Sequence, residues 1–150
     1  VNIASLAGML AVPGQALYAG TKFAVVGLST ALADEFAPQG VQISCVMPTF
    51  TNTELISGTA TGGLTTPVQP EEIAAAVVRT LDKPRTAVSV PYPLRFVAAA
   101  TAFLPPRGRR WLSQRMGTAR VFLDLDTAAR AGYEKRAQSA TGLTDDEPTG

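Results

Sequence analysis

Between residues 1 and 90, short β-branched runs alternate with longer stretches of helical periodicity, and that alternation leaves few architectures open. Residues 1–4 read as the end of a buried strand. Residues 15–37 follow with frequent alanine, and with Leu17, Phe23, Val25, Val26, Leu28, Leu32 and Phe36 spread round several faces. A helix apolar on most sides is expected to be buried on more than one, against a sheet and a second body. Pro38 and Gly40 stop it. Residues 41–47 then predict a fully buried strand ended by Pro48. Pro70-Glu71-Glu72 opens an amphipathic helix to about Leu81, with a first-turn proline and two carboxylates facing the dipole. Residues 86–90 supply a third strand. Strand, helix, strand, helix, strand is the signature of an α/β parallel sheet.

The connections carry their own signals. Residues 6–14 form a loop closed by Pro13-Gly14. Residues 49–69 hold seven threonines and three glycines with little periodicity, the composition of a mobile functional loop or lid. Beyond residue 91 the character changes. Residues 94–104 are apolar apart from Arg95 and Thr101; Pro105-Pro106 and a basic cluster of Arg107, Arg109 and Arg110 follow. Another helical stretch is expected over 117–138 and a solvated tail over 139–150. The predicted organisation is a sheet-forming part over 1–91, a helical cap or interfacial extension over 92–138, and the tail.

Composition removes whole classes of chemistry. The 150 residues contain no histidine, which excludes histidine triads and histidine metal sites within the chain. A net charge of +1 gives no reason to invoke nucleic acid. The single cysteine, Cys45, lies in an apolar run and is expected to be buried and inert, so a cytoplasmic setting is the default expectation. No metal site is expected.

What remains is hydroxyl and amine chemistry. Tyr18 and Lys22 are four residues apart near the start of a helix and share one face. A phenol is a weak acid, and a neighbouring ammonium stabilises its anion and equips it for proton transfer. Ser5 ends the first strand, where its hydroxyl can orient a substrate oxygen. A tyrosine beside a lysine is commonplace on protein surfaces, so the pair gains meaning only from its surroundings.

Those surroundings run in one unbroken order: Asn2-Ile3-Ala4-Ser5, Ala7-Gly8, Pro13, Tyr18-Ala19-Gly20-Thr21-Lys22, Gly27-Leu28, Leu32-Ala33-Asp34-Glu35, Gly40-Val41 and Val46-Met47-Pro48. The stretch resembles the classical short-chain dehydrogenases/reductases over about residues 1–55, with a compatible layout to about 91. The resemblance implies the C-terminal half of a Rossmann-type doubly wound sheet and a helical C-terminal extension. It implies an alcohol–carbonyl oxidoreductase using NAD or NADP. Tyr18 becomes the general acid/base, Lys22 its electrostatic partner and a holder of the nicotinamide ribose, and Ser5 the ligand of the substrate oxygen. Pro48, Thr51 and Thr53 fall on the family segment beside the nicotinamide.

Two departures matter. The family glycine after Pro48 is Thr49, and its aliphatic residue is Thr51, which puts the turn geometry in question. No glycine-rich phosphate turn follows a strand, so the expectation is a truncated chain, inactive alone and weak in cofactor binding. The expected partners are a small-molecule substrate, which residues 94–111 make compatible with a lipid-like one, and a second copy of the intact protein as homodimer or homotetramer. Apolar bulk beside Arg107, Arg109, Arg110 and Trp111 also allows peripheral membrane contact. The competing readings are a non-catalytic oligomerisation or interaction module, and the extended sugar-nucleotide branch of the same family.

Overall fold

A strand sends successive side chains to opposite faces, and β2 (Cys45–Pro48) does so from the middle of the sheet. The computed structural model describes residues 1–11, 13–53 and 67–115, with Gly132, Lys135, Arg136 and Ser139. Among them, β1 (Asn2–Ile3), β2 and β3 (Ala87–Val90) form a parallel sheet in the order β1-β2-β3. Asn2 pairs with Cys45, which pairs in turn with Ala87.

Each face of β2 has its own core. Cys45 and Met47 pack with Ala4, Met9, Val25, Val26 and Ala87 under helix α1 (Ala16–Phe36). Val46 packs with Val68, Ile73, Ala76, Val77, Val88 and Val90 under helix α2 (Pro70–Asp82). Burying a side chain the size of Val46 or Met47 contributes roughly 1.5–3 kcal/mol. The sulfur of Cys45 is buried in the first of these clusters as a free thiol, as its apolar surroundings implied.

The chain steps the same way across the sheet at both connections, yet α1 and α2 cover opposite faces. The two crossovers are therefore of opposite hand, and one is the uncommon left-handed kind. The α/β reading is correct; this topological detail is not visible in the strand–helix alternation.

Several boundaries differ from those expected. Residues 1–4 do not form a buried strand: β1 lies at the sheet edge and Ile3 is 55% exposed. The next strand begins at Cys45 rather than at residue 41. The reason is the helix stop: α1 passes into a 3₁₀ turn (Ala37–Gln39), Gly40 adopts φ 76°, and the amides of Gly40 and Val41 donate to the carbonyls of Ala37 and Phe36. That is a Schellman closure, and it commits Val41 to the helix end. Pro48 is the last residue of the strand and still pairs with Val90.

The helix was expected to be buried on more than one side, and it is not. Ala19, Lys22, Val25, Val26, Ser29, Leu32, Ala33 and Phe36 make one inward stripe, whereas Leu17 (86% exposed) and Leu28 face outward. By length and composition alone, Ala16–Gln39 could cross a membrane, but its inward stripe is packed on the sheet.

The segment 49–69 is tied at both ends. Thr51 bridges Val68, the Asn52 amide donates to the Val68 carbonyl, and the Val68 amide donates to the Phe50 carbonyl, both at 2.8 Å. Residues 54–66 lie outside the described residues. Helix α2 starts with a reciprocal cap between Gln69 and Glu72, with Pro70 in its first turn.

Helix α3 (Leu94–Ala102) rests against β3 and the turn after Ser5. Its lone arginine is accounted for: Arg95 donates to the Ala87 carbonyl at 3.1 Å and stacks 5.0 Å from the rings of Tyr92 and Phe96. The basic cluster sits on a helix, α4 (Pro106–Arg115), whose first residue is the second proline. Of the helix expected over 117–138, Gly132, Lys135 and Arg136 are described and helical. Helical structure extends to Ser139, where a tail was expected; the rest of both stretches lies outside the described residues.

Candidate active site

Because α1 and α2 leave for opposite faces, the connections after β1 and β2 part at the carboxyl ends of those strands. A crevice between diverging connections is where open α/β sheets bind ligands. Ser5 lies two residues beyond β1, and Thr49 directly follows β2. The topology thus brings Ser5 to one wall and residues 48–53 to the other.

Ser5 is held from both sides. It caps the 3₁₀ turn Leu6–Gly8 by accepting from the Ala7 amide at 3.2 Å, and its hydroxyl donates to the Pro48 carbonyl at 3.4 Å. The second bond is long, so the hydroxyl can exchange it for a better acceptor.

Tyr18 and Lys22 occupy the first turns of α1. Tyr18 is 39% exposed, and the half-buried Lys22 places its Nζ 5.5 Å from the Tyr18 ring centroid, within cation–π range. The Thr21 hydroxyl donates to the Tyr18 carbonyl at 2.7 Å and steadies that turn. Lys22 belongs to the inward stripe, which points its chain along the sheet side of the helix.

On the other wall, the Thr49 amide donates to the Val90 carbonyl at 3.0 Å. Among the described residues, no residue other than glycine has positive φ, so Thr49 takes an ordinary backbone and the turn needs no glycine. The doubt raised by that departure is removed. The Thr51 hydroxyl donates to the Thr49 carbonyl at 3.4 Å, and the Thr53 amide donates to the Thr51 carbonyl at 2.8 Å. This makes a compact run of hydroxyls, with Thr51 half-buried and Thr53 exposed.

The structure therefore brings Ser5 to Pro48, Lys22 to Tyr18 and Thr53 to Thr51. Three further residues join these groups, and sequence reasoning gave them no role. Asn2 donates from Nδ2 to the buried Ser29 hydroxyl at 3.0 Å, and Ser29 donates to the Val25 carbonyl at 2.6 Å. Gly8 is buried against Lys22. The signal for Ser29 was a polar residue on the helix's inward stripe; the signal for Gly8 was a glycine three residues beyond the strand-end serine. A depression of about 740 Å³ lies elsewhere, between α2 and β3, and is lined by Arg79, Lys83, Val88 and Tyr92 but not by Ser5, Tyr18 or Lys22. The strand-end crevice, flanked by Ser5 and by Thr49 and Thr51, is the better candidate.

Residues 1–62 match the family description short chain dehydrogenase. The chain is 29% identical to human estradiol 17-beta-dehydrogenase 11 over 141 residues, covering 92% of this chain and 44% of that protein. Two solved structures share the fold. One is a short chain dehydrogenase from Burkholderia cenocepacia J2315 in complex with NADP, at TM-score 0.58 and 22% identity, over 77% of this chain and 46% of that one. The other is a short-chain dehydrogenase from Sphingobium yanoikuyae in complex with NADPH, at TM-score 0.55 and 28% identity, over 67% and 41%. The chain spans less than half the length of each.

Proposed function

This chain belongs to the short-chain dehydrogenase/reductase family, and we propose that it carries the proton-transfer side of a nicotinamide-dependent enzyme interconverting alcohols and carbonyls. The observation that carries the reading is the seating of α1 on the turn after Ser5: the Lys22 backbone lies against Gly8, its ammonium meets the Tyr18 ring, and Ser5 is hydrogen-bonded to the residue ending β2. NAD or NADP is the cofactor of this reading, in line with the NADPH held by the Sphingobium relative.

The donor set suits the nicotinamide end of such a molecule. Lys22 and Tyr18 offer a cation and a hydroxyl to the ribose. Thr51, Thr53 and the backbone after Pro48 offer polar groups to the carboxamide. Held there, a dinucleotide would supply the hydride chemistry. Tyr18 handles the proton: as phenolate it takes the alcohol proton during oxidation, and as phenol it protonates the carbonyl oxygen during reduction. Lys22 stabilises the phenolate, and Ser5 releases Pro48 to hold the substrate oxygen. Helix α3 is part of the cap over the substrate in this reading, since it rests on the turn that follows Ser5.

In the full-length protein, Tyr18→Phe should lower turnover of secondary alcohols, estradiol included, by about 10²–10⁴-fold with the fold intact. Turnover is followed by nicotinamide absorbance and folding by circular dichroism. A Phe variant with wild-type turnover would remove Tyr18 from the chemistry. The competing module without catalysis predicts no turnover in either protein.

Two surfaces extend the reading. The outward face of α1, with Leu17, Ala24 and Leu28, is the seat of a second copy. The exposed Phe103 and Trp111 beside Arg107, Arg109 and Arg110 form a surface for peripheral contact with anionic lipid.

A further inference from the structure

We infer that Gly8 is a positioning residue that sets the distance between the two halves of the catalytic group, with the Asn2–Ser29 hydrogen bond as its second anchor. The inference rests on the reading of Ser5, Tyr18 and Lys22 as a proton-transfer group.

Ser5 and Lys22 sit on different elements, and their relation depends on how closely the turn after β1 lies on α1. Gly8 is the contact point. A Cβ built on it would stand 2.6 Å from the Lys22 carbonyl oxygen, 2.9 Å from the Lys22 carbonyl carbon and 2.8 Å from Val26 Cγ2. Two of those three atoms are backbone of the very residue whose side chain meets Tyr18. The constraint at Gly8 is thus one of space, and no positive φ is recorded for it. Any side chain at this position must drive the Lys22 backbone back by most of an ångström or lift the Ser5 turn away.

The second anchor works along the same helix. The hydroxyl of Ser29 is fully buried on the inward stripe, where it accepts from Asn2 and donates to Val25. Asn2 is three residues before Ser5, and Ser29 is two turns beyond Lys22. One contact fixes how near α1 lies to the turn, and the other fixes where it lies along β1. Together they determine where the phenol and ammonium stand relative to the Ser5 hydroxyl. Displacement of a reacting group by about 1 Å can cost about a hundredfold in rate.

The test compares Gly8→Ala with Val46→Ala in the full-length protein, the second being a core change on the α2 face that reports stability loss alone. Gly8→Ala is expected to lose about a hundredfold in kcat while the KM for the dinucleotide stays near wild type. Val46→Ala should keep the wild-type kcat even where its melting temperature falls as far. Adding Val26→Ala to Gly8→Ala should not restore the rate, since the backbone collision remains. If Gly8→Ala keeps the wild-type kcat, or Val26→Ala fully restores it, the positioning role is wrong. Should Gly8→Ala fail to fold, Ser29→Ala decides: a reduced kcat with an unchanged KM supports the two-anchor arrangement, and an unchanged kcat overturns it. Tyr18→Phe run alongside separates the two layers. An active Phe variant sinks the proton-transfer reading itself, whereas an inactive one beside a normal Gly8→Ala sinks only the positioning role.

Discussion

Thr49 shows how a single residue can depart from a family pattern while its turn keeps an ordinary backbone. Its amide is engaged by Val90, its carbonyl receives the Thr51 hydroxyl, and its backbone avoids the left-handed region. Thr49→Gly should therefore bring no relief of strain, and should lower stability by about 0.4–1 kcal/mol through the extra freedom of the unfolded chain. A rise in the urea midpoint would show that the turn is strained after all. The residues proposed to react stand out in the sequence because their chemistry is tied to residue type: a phenol and an amine one helical turn apart, and a hydroxyl at a strand end. Gly8 and Ser29 were not legible. Their roles lie in a missing Cβ and a buried hydrogen bond, and both depend on which helix turn meets which loop, information that exists only once the sheet is assembled.

The elements followed from periodicity, and their ends followed from local chemistry that pattern-reading weighs too lightly. The helix over Ala16–Phe36 and the one over Pro70–Asp82 were expected within a residue or two. The β2 start was missed because a Schellman closure borrows Val41, whose side chain looks like strand. Helix α4 lies within the expected helical extension, but its start was not read because Pro105-Pro106 looks like a break, although the second proline is well placed to begin a helix. That helix carries the exposed Arg107, Arg109, Arg110 and Trp111 and follows the 90% exposed Phe103 in the chain. The full-length protein should float with vesicles containing phosphatidylserine and stay behind with neutral ones, and Trp111→Ala with Phe103→Ser should weaken flotation. No flotation with either vesicle would rule out lipid contact.

At the scale of the molecule, the alternation of strand and helix identified the α/β sheet, but the side of the sheet taken by each helix came from packing. Residue type says that Val46 and Met47 are buried; only the pleat says that they are buried under different helices. The outward face of α1 is the counterpart of that arrangement, apolar yet open among the described residues. If this face seats a second copy, Leu28→Glu in the full-length protein should shift sedimentation toward the monomer, and a wild-type monomer or an unchanged coefficient would remove this face as a subunit contact. The tie between Thr51–Asn52 and Val68 has an evolutionary consequence. Residues 54–66 enter and leave through one hydrogen-bonded neck, so their length can be doubled for an entropic cost of only about 0.6 kcal/mol. A lineage carrying this neck can lengthen the segment it closes at little thermodynamic cost.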